Sequence, residues 1–369
     1  MSIDEIFLSI GELGKRQCIL SFLLCLLNGY AAFHMLQYPF ISFSVDFSCS
    51  DQSRSNVSNS CPGDDSAQCV DIIFDTRHKS SIVSEWSLVC DQSSQVKMTM
   101  SAFMFGVMIG AFVLGTFADN YGRKTCLMVT TLGVLVFNTL AASVSSYKLY
   151  IITKLVVGFF QAGFILASFV LINEIVGASK RSLMGLAFQT SFSINIVLMS
   201  FIAYQIPHWR QLTLAISALG APLLVIIMIT PESPRWLLSK NKKKEALKVL
   251  SDIAAGNGTE MTDKMKMMLD DDEEKTDDDN KVVEGLTDLF RTRQLAAVTM
   301  IQIFSWFVNS GSYYALTIAA GAAGSADLYT GTALSGAVEI PAYILAYWLL
   351  RVAGRRQGSF YRTQQFLSC

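Results

Sequence analysis

Eight long apolar runs, separated by charged segments, dominate the pattern of this chain. The runs contain no Asp, Glu, Lys or Arg apart from Lys154 and Glu339, and they cover residues 18–45, 98–118, 125–147, 149–173, 182–205, 211–230, 294–326 and 328–350. A helix needs about 20 predominantly apolar residues to cross a bilayer. The pattern therefore predicts eight membrane-spanning helices and an all-α membrane protein.

The polar segments divide the chain into five parts. Residues 1–17 form a lead whose apolar side chains at Ile3, Ile6, Phe7 and Ile10 predict a short amphipathic helix. Residues 18–230 hold six predicted spans and a polar loop at 46–97. A hydrophilic segment with an acidic tract follows at 231–293, then two spans within 294–350 and a polar tail at 351–369. Acidic residues precede the first apolar run, so we expect no cleavable signal peptide.

The composition agrees with a membrane protein. Hydrophobic residues make up 51% of the chain and charged residues 16%, whereas soluble domains carry about 25% charged residues. The formal net charge is −1, and no basic tract indicates nucleic-acid binding. The sequence contains no recognisable nucleophile–base pair, metal-binding cluster or phosphate-binding loop. We therefore expect neither an enzyme nor a bound metal or cofactor.

Basic residues beside the apolar runs indicate the orientation in the membrane. Arg123 and Lys124 lie between the second and third runs, and Lys180 and Arg181 lie between the fourth and fifth. Short loops rich in Lys and Arg favour the cytoplasm. The pattern predicts that the amino terminus and residues 231–293 are cytoplasmic, and that the loop at 46–97 is extracellular.

Four of the eight cysteines cluster at this loop: Cys49, Cys61, Cys69 and Cys90. Cysteines that face an oxidising compartment favour disulfides. Three pairings are open, and free thiols or a metal site are the alternatives. Asn56 begins a glycosylation sequon in the same loop, which fits an extracellular position. A second sequon begins at Asn257, in the predicted cytoplasmic segment, and we expect it to be unglycosylated.

One short charged motif separates the second and third runs: Gly115-Thr-Phe-Ala-Asp119-Asn-Tyr-Gly122-Arg123-Lys124. It resembles the signature loop between helices 2 and 3 of the major facilitator superfamily. That resemblance implies two six-helix halves that rock about a site at the membrane midplane. Eight spans supply the first half and a third of the second, so we expect an incomplete major facilitator fold with about 8 of 12 transmembrane helices.

Further blocks resemble the organic cation/anion/zwitterion transporter family of this superfamily. They lie in the lead, at the end of the cysteine loop, between the fourth and fifth runs and after the sixth: Gly11-Glu-Leu-Gly14, Glu85-Trp86-Ser-Leu-Val-Cys90, Glu174-x-x-Gly177-x-x-x-Arg181 and Pro231-Glu-Ser-Pro-Arg-Trp-Leu237. Pro234 and the stretch Ile206-Pro-His-Trp-Arg210 look more like the organic cation/carnitine branch than the anion branch. The resemblance covers residues 1 to about 356.

The family resemblance implies a charged gate at the cytoplasmic face, whose ion pairs form and break during transport. The residues that match its motifs are Asp119, Arg123, Lys124, Lys154, Glu174, Arg181, Glu232 and Arg235. Lys154 stands where the family usually has an arginine that pairs with the motif Asp. Lysine keeps the charge but loses the forked geometry of arginine.

Glu339 is the strongest candidate for substrate binding. A carboxylate inside a membrane helix costs about 2.5–3.5 kcal/mol on insertion scales, so it normally faces a cavity or a partner. A carboxylate also attracts a cationic substrate, and Ala337-Val-Glu339-Ile-Pro341 is similar to the family's helix 8 motif. The alternative is a structural role, in which Glu339 pairs with a neighbouring side chain.

Aromatic and polar side chains on two other predicted helices match cavity positions of the cation branch. Trp306 and Tyr313 are seven residues apart and share one helix face. Aromatic faces attract organic cations by about 0.5–2 kcal/mol. Gln189 and Phe192 match cavity positions on helix 5. Ordinary packing against lipid or neighbouring helices is the alternative for all four.

Together these features predict a multi-pass plasma-membrane carrier of organic cations or zwitterions, such as carnitine-like compounds, that works by alternating access. Two alternatives remain open. The chain is a transport-inactive shortened form that modulates full-length relatives, or it carries organic anions. The expected partners are a small organic substrate, the lipid bilayer and, for the first alternative, full-length paralogues.

Overall fold

The computed structural model describes residues 3–50, 57–58, 71–76, 78–261, 289–322 and 328–367, and this part of the chain is mainly helical. Asn56, Cys61, Cys69 and the acidic tract lie outside the described residues. The helices are α1 (Ile3–Ile10), α2 (Lys15–Leu36), α3 (Tyr38–Ile41), α4 (Ile82–Glu85), α5 (Ser93–Tyr121), α6 (Arg123–Ser143), α7 (Tyr147–Glu174), α8 (Arg181–Gln205), α9 (Trp209–Ala218), α10 (Gly220–Ile229), α11 (Pro234–Ser239), α12 (Lys243–Asn257), α13 (Arg293–Ala322) and α14 (Leu328–Leu367).

Six helical stretches of the described chain are long and apolar enough to cross a membrane: Lys15–Leu36, Cys90–Tyr121, Arg123–Ser143, Tyr147–Glu174, Ala178–Gln205 and Trp209–Ile229. They match the first six predicted spans. The sixth is divided into α9 and α10 just before Pro222, which has no N–H to donate within a helix. The seventh and eighth predicted spans form α13 and α14, which are not among the six. That these two helices cross a membrane remains a prediction.

The turn between α5 and α6 is tighter than the sequence motif indicates. Asp119 lies inside α5, Arg123 begins α6, and Gly122 alone joins them with φ of 103°. A side chain is strained at this φ, and a Cβ on Gly122 would lie 2.3 Å from Oε2 of Glu232. The chain therefore turns from α5 into α6 at a single glycine.

Helices α5 and α7 approach closely along most of their length because small residues line their interface. A Cβ on Gly106 would lie 2.0 Å from the Leu155 carbonyl oxygen, and a Cβ on Gly158 would lie 2.1 Å from the Phe103 carbonyl oxygen. Small residues permit this kind of packing between membrane helices. Helix α7 also packs on α6, while α2 and α14 pack on α8.

The predicted amphipathic lead forms α1 and packs against α12, which follows the last of the six spans. Its apolar face, Ile6, Phe7 and Ile10, is buried in one cluster with Leu250 and Ile253 of α12. The lead is thus joined to a segment more than two hundred residues away in the chain.

Two features differ from the expectations. The helix that begins at Leu328 continues to Leu367 instead of ending near residue 350, so the predicted polar tail prolongs α14.

The loop at 46–97 contains three short strands, β1 (Phe47–Ser50), β2 (Val57–Ser58) and β3 (Asp71–Phe74), paired antiparallel in the order β2-β1-β3. Phe47 lies opposite Phe74. The polar composition of the loop gave no signal for this sheet.

Candidate functional site: a half-buried acid and a charged end of the bundle

Glu339 lies where α14 packs against α8 and α13. Ser193 Oγ donates a hydrogen bond to Glu339 Oε2, and Tyr313 of α13 also hydrogen-bonds to this carboxylate. Helix α14 comes close at this point because Gly336 has no side chain: a Cβ there would lie 2.8 Å from Ile196 Cβ. The structure thus brings together two predicted site residues, Glu339 and Tyr313, with a serine that the sequence did not single out.

The carboxylate lies near the middle of the helical bundle. Ser193 is the central residue of α8 (Arg181–Gln205), so it is about 18 Å from either end of that helix at 1.5 Å per residue. Ser193 is fully buried. Near the start of α14, Tyr329 stacks on Phe40 with ring centroids 5.7 Å apart, which places Leu328 at the same end of the bundle as α3. Carriers of this architecture bind their substrates at such a midplane position.

The other predicted substrate residues lie on α8 and α13, and among the described residues none of them hydrogen-bonds to the acid. Gln189 is exposed and lies one helical turn before Ser193, on the same face of α8. Phe192 is half-buried against Ile196 and Leu36. Trp306 is 67% exposed and is two turns before Tyr313 on α13.

One end of the bundle, which we call the Arg123 end, carries a network of ion pairs. Arg123 binds Glu174 through two parallel contacts, Nε to Oε2 at 3.0 Å and Nη2 to Oε1 at 3.1 Å. Its Nη2 also lies 3.1 Å from Asp119 Oδ1. Arg123 and Glu174 are largely buried, whereas the Asp119 side chain is 71% exposed. The two-point contact with Glu174 is therefore the stronger of the two.

Glu232 closes the start of α6 at the same end. Its carboxylate accepts hydrogen bonds from the backbone N–H groups of Arg123 (3.0 Å) and Lys124 (3.1 Å). The first N–H groups of a helix have no partner within the helix, and their partial positive charge favours an anion. Lys124 Nζ in turn donates to the Met228 carbonyl oxygen at 2.7 Å, near the end of α10.

Asp4 of α1 joins two further gate candidates to each other. Asp4 Oδ1 pairs with Nη2 of Arg181 at 2.8 Å and with Nη2 of Arg235. The hydrogen bond from Arg235 lowers the pKa of Asp4 below its ordinary value, against an opposing effect of partial burial. The acidic partner in the lead was missed because 177 and 231 residues separate it from the two arginines.

Lys154 lies away from this network in the described part of the chain, and its assignment to the gate stays a prediction. It is twenty residues before Glu174 on the same helix, which corresponds to about 30 Å. Its ammonium group instead donates to Asn138 Oδ1 at 3.1 Å and lies 5.6 Å from the centre of the Tyr150 ring. Helix geometry therefore places Lys154 towards the opposite end of the bundle.

That opposite end, which we call the Trp209 end, has its own polar contacts within an aromatic cluster. Glu85 accepts a hydrogen bond from Trp209 Nε1 at 2.8 Å and pairs with Arg210. Trp86 lies between Trp209 and Tyr150, with ring centroids 5.4 and 5.0 Å away. The sequence marked Glu85 and the 206–210 stretch as family blocks but gave no contact between them.

The structure describes the surroundings of Cys90, a predicted disulfide cysteine, and of Asn257, whose sequon we expect to be unglycosylated. Cys90 is disulfide-bonded, while the pairing among the four loop cysteines stays a prediction. Asn257 Nδ2 donates to the Ile10 carbonyl oxygen at 3.0 Å and to Gln17 Oε1 at 3.1 Å. A sugar on this nitrogen would break both contacts and separate the lead from α12.

The fold has known counterparts. It is similar to the partially occluded, inward-open structure of the xylose transporter XylE from E. coli, with a TM-score of 0.58 and 16% identity over 91% of this chain and 73% of that one. The helices of this chain therefore have the major facilitator fold.

The sequence comparisons define the family. Residues 18–361 match the model "Sugar (and other) transporter". The chain is 32% identical to an organic cation transporter protein of Drosophila melanogaster over 96% of its own length and 72% of the relative. It is also 32% identical to solute carrier family 22 member 1 of Bos taurus, covering 96% of this chain and 70% of that one. The chain belongs to the sugar (and other) transporter family of major facilitator proteins, whose matched members are transporters and not enzymes.

Proposed function

We propose that this chain carries small organic cations or zwitterions, such as carnitine-like quaternary ammonium compounds, across the plasma membrane by alternating access. The observation that carries the proposal is Glu339, a carboxylate near the middle of the bundle beside Ser193 and Tyr313. A carboxylate at this depth is costly unless it serves a cavity or a partner, and a cation is its natural ligand. The relatives that are named organic cation transporters support the same substrate class.

Aromatic side chains on α13 complement the acid. Trp306 is largely exposed and Tyr313 touches Glu339. An aromatic face within about 6 Å of an ammonium group contributes about 0.5–2 kcal/mol. Gln189 and Phe192 line the α8 side of the same region in this proposal. The substrate then lies between α8, α13 and α14.

The Arg123 end serves as the gate in this proposal, on the cytoplasmic side that its basic residues favour. Each exposed ion pair there contributes about 0–1 kcal/mol. The Arg123–Glu174 pair and the Glu232 contacts are largely shielded from water. Breaking several of these ion pairs and hydrogen bonds together changes the free energy by a few kcal/mol, which is the free-energy difference expected between two conformations of a carrier. The disulfide-bearing loop then faces outside, and Asn56 is its glycan site.

Uptake into proteoliposomes tests the proposal. The purified chain is reconstituted, and the accumulation of radiolabelled tetraethylammonium and carnitine is compared between the wild type and Glu339→Gln. We expect uptake by the wild type and at least a tenfold loss in the variant. Glu260→Gln, which changes an exposed acid beyond α12, is the matched control and should transport normally. Equal uptake with and without the Glu339 carboxylate rejects its role.

Two alternatives stay open as predictions: a chain that modulates relatives without transporting, and a carrier of organic anions. Uptake by the chain alone excludes the first alternative. Absence of uptake, together with altered uptake by a co-expressed relative, supports it. Uptake of an organic acid without uptake of a cation favours the anion alternative.

A further inference from the structure

A second ionisable side chain is buried in the bundle, in a region separate from Glu339. Lys154 of α7 is only 2% exposed, and among the described residues its ammonium group has one hydrogen bond, to Asn138 Oδ1 at 3.1 Å. The Asn138 amide is held in turn by Ser217 Oγ at 2.8 Å. This polar chain orients Lys154 but supplies no negative charge.

Lys154 has no counter-charge in the described part of the chain. None of the ion pairs found there includes Lys154, and the nearest aromatic face is that of Tyr150. A buried cation without an anionic partner is unfavourable in a low-dielectric interior. An ionisable group of this kind inside a membrane protein points to a functional site whose partner must be identified.

His34 of α2 lies beside Lys154 and also has unused bonding capacity. It is 2% exposed, and neither of its ring nitrogens has a hydrogen-bond partner among the described residues. The side-chain oxygen of Gln37, one turn later, is likewise buried without a partner there. Buried polar groups are normally paired, so several unpaired ones at one place indicate an additional bound group.

These side chains line one cleft between α2, α5 and α7. Its wall includes Lys154, His34, Gln37 and Thr99, with Met35 and Phe103 as apolar members. The enclosed space is about 10 Å³, room for one water-sized group, and the cleft is open at one side. Lys154 is seven residues from the start of α7 and His34 is two residues from the end of α2. At 1.5 Å per residue the cleft therefore extends from about 3 to about 10 Å below the Trp209 end.

We propose that this cleft is an anion site that holds the carboxylate of an organic zwitterion or acid, or a small inorganic anion. The Lys154 ammonium supplies the opposite charge, and an N–H of His34 donates a hydrogen bond to the bound anion. An organic zwitterion carries such a carboxylate beside its cationic group, so the site extends the proposed function. It does not require that the chain moves its ligand, and binding rather than uptake tests it.

The test is the thermal unfolding midpoint of the purified full chain in a buffer whose only anion is a bulky organic sulfonate. The probes are glycine betaine, choline with the same sulfonate as counterion, sodium acetate and sodium chloride. We expect betaine and acetate to raise the midpoint of the wild type. In Lys154→Gln their apparent affinity should fall at least tenfold, while any effect of choline stays unchanged. Lys154→Arg should retain the carboxylate effect, and Lys148→Gln, an exposed lysine on the same helix, should behave as the wild type.

The outcomes separate the ligand sources and the two proposals. A chloride effect that disappears in Lys154→Gln assigns the site to inorganic anions as well as carboxylates. His34→Gln should weaken acetate binding in the same direction and serves as a second variant if Lys154→Gln fails to fold. Carboxylate effects of equal size in the wild type and Lys154→Gln, or none in the wild type, overturn the anion site. Loss of the choline effect alone concerns Glu339 and leaves the anion site in place.

Discussion

The side chains around Glu339 show how a single residue acquires its role from its neighbours. An isolated carboxylate at the middle of a helix is only costly. Hydrogen bonds from Ser193 and Tyr313 fix its position between three helices. The carboxylate is thereby held in one place, ready for a ligand, because a charge that is positioned in advance requires little rearrangement on binding.

Replacement of Ser193 by alanine should weaken cation binding without unfolding the protein. The variant loses one hydrogen bond to a charged group, which contributes about 1.5–3 kcal/mol, so we expect the dissociation constant for tetraethylammonium to rise about tenfold or more. Ser200→Ala is the control, because Ser200 lies on the same helix and is buried, but it bonds only to the Ile196 carbonyl oxygen. Equal losses in the two variants would indicate a general packing effect.

Glu232 illustrates a different role, since its carboxylate closes a helix that begins more than a hundred residues earlier. Glu232→Gln removes the charge that faces the first N–H groups of α6. We expect a loss of about 1–2 kcal/mol in stability, measured as a lower thermal unfolding midpoint. Glu245→Gln should have little effect, because Glu245 is exposed and its nearest partner, Lys242, is 3.7 Å away. Two variants with the same midpoint would contradict this role for Glu232.

At the scale of elements, the contact between α5 and α7 depends on glycines. The methyl group that Gly158→Ala adds would lie only 2.1 Å from the Phe103 carbonyl oxygen. The two helices must therefore move apart. We expect a loss of more than about 2 kcal/mol, seen as reduced yield and a lower unfolding midpoint. Gly311→Ala on α13 is the control, because nothing lies within 4 Å of its added carbon. It should be neutral or stabilising, since alanine favours a helix.

Helix α1 is the element whose attachment should depend on pH. The pKa of Asp4 is lowered in the folded protein, chiefly by Arg235. A lowered pKa means that the stabilisation is fully present above the ordinary value of about 3.9 and is lost as the pH falls through the folded value. Because Asp4 is partly exposed, solvent limits this stabilisation to about 1 kcal/mol or less.

Hydrogen exchange of the backbone amides of residues 3–10, corrected for intrinsic rates, measures this attachment. We expect wild-type protection to be constant near neutral pH and to fall below about pH 4. Asp4→Asn should show the reduced protection at every pH, whereas Asp252→Asn, an exposed acid on α12, should not. Protection in Asp4→Asn that equals the wild type would show that α1 is held by its apolar face alone.

At the scale of the whole molecule, the sequence predicted the elements better than the contacts between them. Long runs with almost no charged side chains predicted the six membrane-spanning helices, because charged side chains are costly inside a bilayer. Glu339 could be found in the same way, as the one acid within an apolar run. The assignment of Lys154 to the gate came from the family resemblance alone. The place of Lys154, five residues into the fourth run, already favoured the end of the helix remote from Glu174.

Contacts between distant segments left no signal in a single sequence. Serines are common in membrane helices, so nothing distinguished Ser193 from Ser200 before α14 was placed beside it. Asp4 lies in a lead whose apolar pattern predicted a helix but not its partner, α12. Such pairings depend on how helices cross, which the hydrophobic pattern of each helix does not encode.

The central claim is that the Glu339 carboxylate is the cation site of the bundle, and equilibrium binding of labelled tetraethylammonium to the purified chain tests it most directly. The account predicts saturable binding to the wild type and at least tenfold weaker binding to Glu339→Gln, a difference of about 1.4 kcal/mol or more. Glu260→Gln should match the wild type. Equal affinities of the wild type and Glu339→Gln would contradict the claim and leave Glu339 with a structural role between α8, α13 and α14.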